Sequence, residues 1–70
     1  MSDRTRRALT NALITDIAHA ARMGTYAETV AALPSFLSTH GMPSDQNVVD
    51  DLCRRAEEHN RVRAATIAPR

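Results

Sequence analysis

Gly24-Thr25-Tyr26-Ala27-Glu28-Thr29-Val30-Ala31-Ala32-Leu33-Pro34-Ser35-Phe36-Leu37 is the stretch that decides how this chain is read. Tyr26, Val30, Leu33 and Leu37 fall at i, i+4, i+7 and i+11, a single stripe of an α-helix. The stretch holds the only Tyr and the only Phe, and there is no Trp. The two glycines, Gly24 and Gly41, bracket it. A stripe this narrow, between two longer amphipathic segments, makes the middle helix the natural surface for both neighbours. Pro34 complicates it. Proline inside a helix removes one hydrogen bond and disfavours helical geometry at the residue before it, so a kink or a restart is expected near Ala32–Pro34.

Working back towards the N-terminus, residues 3–23 carry a helical pattern. Leu9, Leu13, Ile14, Ile17, Ala20 and Ala21 share one broad face, and Asn11, Thr15, His19 and Arg22 lie opposite or at its rim. Ser2 or Asp3 can cap the start. Gly24 ends the helix, since glycine enters the left-handed conformation at least cost. Thr25 and Glu28 then have capping-box spacing. A stop and a start this close predict a tight helical hairpin.

Working forward, His40-Gly41 closes the middle helix and Met42-Pro43-Ser44 connects onward. Ser44 is the expected cap of a third helix over 45–66, with Asp45, Asp50 and Asp51 near its positive end. Val48, Val49, Leu52 and Ala56 form its apolar face, with Cys53 alongside. Asp50–Arg54, Asp51–Arg55 and Glu57–Arg61 stand at i, i+4 and predict a solvated outer face. Pro69-Arg70 reads as a frayed end. The fold expected is all-α: one domain over 1–70, a compact three-helix bundle running up, down and up.

Seventy residues bury only about 60% of their unfolded surface, so stability is marginal without help. Cys53 is the only cysteine, which excludes an internal disulfide and fits a reducing compartment. Alanine is the commonest residue; it favours helix but fills little volume. A thin core of this kind favours a partner chain or a second copy of the same chain.

The net charge is +1, so no global field draws the chain to nucleic acid or membrane. All nine cationic residues are arginine, as a GC-rich genome would give. No apolar run approaches the roughly 20 residues that span a bilayer, and the start has no signal-peptide pattern. The cytoplasm is the expected setting.

The topology places two arginine groups. Arg4, Arg6 and Arg7 fall at the pole where the third helix begins, near Asp45, Asp50 and Asp51, which are expected to offset them. At the other pole Arg22, Arg61 and Arg63 gather with His19 and His59. The apolar face of the third helix continues into His59 and Arg63, as if its last turns outrun the bundle. The candidate partner-binding residues are therefore His19, Arg22, His59, Arg61, Val62 and Arg63, with Ile67 nearby.

No chemistry competes strongly with that reading. His19, His40, His59 and Cys53 show no metal-ligand spacing. Cys53 borders an apolar face, where a thiol packs as a small inert hydrophobe. No glycine-rich phosphate loop exists. No catalytic residue, metal or cofactor is expected, and the chain reads as a non-enzymatic adaptor, regulator or inhibitor of a partner protein, of the kind bacteria and phages carry, or as a homodimer. The alternative is a nucleic-acid-associated regulator using the arginine clusters at the helix ends, Arg4, Arg6 and Arg7 or else Arg61 and Arg63. Against it, the third helix opens with acids, which repel phosphate.

Overall fold

The computed structural model describes residues 2–67, which form three helices: α1 (Asp3–Met23), α2 (Tyr26–Thr39) and α3 (Gln46–Ile67). No strand occurs among the described residues. The expected frayed end at Pro69-Arg70 and the side chain of Ile67 lie outside the described part. Arg6 and Thr10 of α1 border the same crevice as Asn47, Asp51 and Arg55 of α3, while Ala18 and Arg22 meet Asn60. Hence α1 and α3 run parallel, α2 runs back from the end of α1 towards the start of α3, and the bundle is up-down-up.

Both boundaries of the first hairpin follow from local chemistry. Ser2 caps α1, its Oγ accepting from the Thr5 amide at 3.1 Å. Gly24 takes φ 81°. The Gly24 and Thr25 amides both turn back to the Ala20 carbonyl, the latter at 2.9 Å, which satisfies orphan groups at the helix end.

That closure undoes the expected capping box. Thr25 makes no side-chain cap hydrogen bond and sits at φ −111°, ψ 22°, outside the extended region a cap needs. Its amide, which Glu28 would have to reach, already serves Ala20.

The restart expected at Pro34 does not occur, and α2 is one continuous helix. Pro34 has no amide to give the Val30 carbonyl. Leu33 and Leu37 on either side of it are both buried, Leu37 completely, in the common core. Burying one such side chain stabilises by about 1.5–3 kcal/mol, so the packing of both halves offsets a single missing hydrogen bond.

The α3 cap also shifts by one residue. The Asp45 carbonyl accepts from the Val48 and Val49 amides at 3.0 and 3.1 Å, and the helix begins at Gln46. Of the three expected i, i+4 pairs, Asp51–Arg55 forms at 2.9 Å and Glu57–Arg61 at 3.3 Å. Asp50 instead accepts from Gln46 Nε2 at 2.8 Å, and Arg54 turns to Asp51.

The core contains Leu13, Ile17, Ala18, Leu33, Leu37, Val49, Leu52 and Ala56, with Ile17, Ala18 and Leu37 fully enclosed. The principal seam is α1 against α3, and α2 touches α3 least. The centre of the fold is therefore α1, not the middle helix. The reason is geometric. The two long helices run side by side, and buried alanines, Ala18 on α1 and Ala56 on α3, let them approach closely. The shorter α2 covers one flank with Leu33, Leu37 and half-buried Val30.

Candidate functional site

The pole where α1 ends and α2 begins is the least finished part of the bundle. Met23 is 65% exposed, Tyr26 41% and Val62 57%; among the described residues only Phe36 joins them as an exposed large hydrophobic side chain. Met23 closes α1, Tyr26 opens α2, and Val62 rides on the last turns of α3. Three of the four therefore belong to one end.

Asn60 organises this end. It lies four residues after Ala56 and eight after Leu52, on the buried stripe of α3. Its Nδ2 donates to the Ala18 carbonyl at 3.0 Å. Its Oδ1 accepts from Arg22 Nη1 at 2.5 Å, and Arg22 Nη2 lies 3.5 Å from His19 Nδ1. Four residues from two helices are thus tied together, and the packed seam ends at Asn60.

Beyond Asn60 the side chains from Arg61 to Thr66 are all exposed. The structure brings His19 and Arg22 together and sets His59, Arg61, Val62 and Arg63 on the exposed end of α3. Arg61 is engaged by Glu57 of its own helix. Asn60 is the member that sequence reading missed. Its signal was there: a polar residue in register with Leu52 and Ala56, where the pattern demanded an apolar one.

Below the pole, Ala21, Tyr26, Cys53, Ala56, Glu57 and Asn60 line an open groove of ≈ 380 Å³. The Tyr26 phenol titrates above its ordinary value. Interaction with the Cys53 thiol is the first cause, then desolvation, then the negative charges of Cys53, Glu57 and Asp50. Cys53 is free and half-buried.

At the opposite pole Arg4, Arg6 and Arg7 are exposed. The expected offset by α3 acids is not made, and among the described residues the ion pairs all lie within α3. Asp51, which borders the same crevice as Arg6, is held by Arg54 and Arg55. Partners three and four residues along one helix are already neighbours, whereas an arginine from another helix loses more rotamer freedom to reach it.

Among the described residues, no three His, Cys, Asp or Glu side chains converge to hold a metal, and no helix is long and apolar enough to cross a membrane. No protein family matches the chain, and no curated protein or solved structure shows significant similarity to it.

Proposed function

We propose that this chain is a small protein-binding module, an adaptor, regulator or inhibitor, which engages its partner through the pole formed by the end of α1, the start of α2 and the last turns of α3. The observation that supports it is the exposure of Met23, Tyr26 and Val62, each on an element that reaches that end. Exposed apolar side chains rimmed by polar ones mark interaction surfaces. Arg22, Arg63 and His59 supply the rim, and arginine is favoured where contacts must be bidentate. The single free cysteine suits the reducing cytoplasm as the place of work.

The test is a paired capture experiment after nuclease treatment, using the wild-type chain and two variants, Val62→Asp and Arg63→Glu. Both positions are exposed, so helicity should be unchanged. A discrete protein retained by the wild type and lost by both variants is the expected result. Equal retention by all three chains removes the α3 end from the binding surface. Sedimentation velocity on the same proteins decides whether that partner is a second copy.

A second reading rests on the uncompensated Arg4, Arg6 and Arg7 cluster. It predicts duplex binding that weakens steeply with salt, through counterion release, and that is lost in an Arg4→Glu/Arg7→Glu chain. Absence of binding at low salt eliminates it.

A further inference from the structure

The failed capping box leaves a carboxylate without employment. Glu28 stands on the α2 wall of an open groove of ≈ 360 Å³ between α1 and α2, and Asp16 stands on the α1 wall. Leu13, Ile17 and Leu33 form the floor, and Phe36, 36% exposed, lies at the edge. Among the described residues neither carboxylate has a salt bridge, and neither side chain makes a hydrogen bond.

The charge around this groove is one-sided. From Ala8 to Pro43 the charged residues are Asp16, Arg22 and Glu28 alone. Arg22 is turned to Asn60 of α3. α2 itself carries Glu28 and no cation, and most of its residues are exposed, including Ala27, Ala31 and Ala32. The face is therefore apolar in its floor, negative on both walls and free of lysine or arginine, in a chain whose net charge is +1.

We propose that the α1/α2 groove docks a cationic amphipathic helix of a partner protein. One large apolar side chain of that helix enters the floor beside Phe36, and arginine or lysine on its flanks meets Asp16 on one side and Glu28 on the other. An amphipathic helix delivers this arrangement because its apolar stripe and charged flanks are fixed by the 3.6-residue repeat. Carboxylates without partners are the acceptors that arginine engages in short charge-assisted bonds. The overall positive charge of the chain opposes non-specific attraction of such a helix, so recognition has to come from this local negative face. The inference rests on the protein-binding reading, but on a surface separate from the α3 pole.

The test uses two fluorescent synthetic helices of equal length, with leucine at i, i+3 and i+4 spacing. One carries arginine at the remaining positions and the other glutamate. The arginine helix is expected to bind the wild-type chain and the glutamate helix is not. Amide shifts should map to Leu13–Ile17 and Glu28–Phe36. An Asp16→Asn/Glu28→Gln chain should bind at least about tenfold more weakly, and Phe36→Ser should weaken binding at unchanged helicity. Val62→Asp and Arg63→Glu should bind this probe normally, which separates failure here from failure of the α3 surface. Equal binding of both helices, undiminished binding by the double variant, or shifts at the α3 pole would each overturn the proposal. So would a dimer in sedimentation whose own contact fills this groove.

Discussion

Asn60 donates its side-chain amide to the main-chain oxygen of Ala18 at 3.0 Å, joining α3 to α1 through residues 42 apart in sequence. The same side chain accepts from Arg22 one turn further along α1. Apolar contacts between two parallel helices tolerate sliding, since leucine meets leucine in several registers. A bond to one particular carbonyl does not. Ala18 makes the contact geometrically feasible, because a larger side chain there would shield its own backbone. Asn60 thus fixes the register of α3 on α1 at the point where the seam stops, and it sets how far the last turns of α3 project past it.

Replacing Asn60 with Ala should lower stability by about 1 kcal/mol, the usual net contribution of an intramolecular hydrogen bond. For a chain of this size that is a fall in Tm of roughly 4–8 °C, read by thermal unfolding followed by circular dichroism. Arg22→Ala should cost less, because its bond to Asn60 is exposed. A double variant no less stable than Asn60→Ala would show that Arg22 acts through Asn60.

Core truncation should be far more damaging. Leu37 and Ile17 are fully enclosed. Cutting either to Ala removes about 2–5 kcal/mol, against a total of about 4–10 kcal/mol for a chain of this length. Either variant should be substantially unfolded in mild urea. Val62→Ala, at a side chain 57% exposed, should shift the midpoint by no more than about 0.5 kcal/mol equivalent.

The helices were readable because their signals are local. Gly24 and Gly41 mark both chain reversals, each at positive φ, and the apolar period runs unambiguously through Leu13, Ile17, Leu52 and Ala56. What failed were readings that needed one group's partner to be free. Thr25 could not host Glu28 because its amide was spent on Ala20, and Asp51 could not answer Arg6 because Arg54 and Arg55 held it. The arrangement of three helices is likewise a tertiary fact. That α1 and not α2 is central depends on how closely Ala18 and Ala56 let two helices approach, which no single stripe encodes. The groove between α1 and α2 was invisible for the same reason: Asp16 and Glu28 were each unremarkable until the fold set them on facing walls.

Gly24 offers a clean measure of the first reversal. A Cβ placed there meets nothing within 4 Å, so no collision accompanies a substitution. What remains is the backbone conformation at φ 81°, which costs an L-residue about 1–2 kcal/mol. Gly24→Ala should therefore destabilise by about that amount in urea unfolding, and Gly24→Asn by less, since asparagine visits this region more readily. Equal stability of the wild type and Gly24→Ala would mean that the reversal does not hold this geometry.

Tyr26 provides a titration readable without a label, because it is the only tyrosine and the chain has no tryptophan. Its phenol is raised above 10.0, first by Cys53, then by desolvation and the negative charges nearby. Folding thus favours the neutral phenol. The sign follows: the stabilisation is fully present below pH 10.0 and is lost as pH rises through the raised value. Ultraviolet difference spectra of the folded chain should show phenolate appearing later than in urea. Cys53→Ala removes the leading cause and should bring the titration down towards 10.0, and Glu57→Gln should give a smaller fall. A partner helix or ligand entering this end of the bundle would desolvate Tyr26 further and push its titration higher still, whereas one bound only in the α1/α2 groove would leave it in place. An unmoved titration in Cys53→Ala would show that thiol and phenol do not interact across the groove.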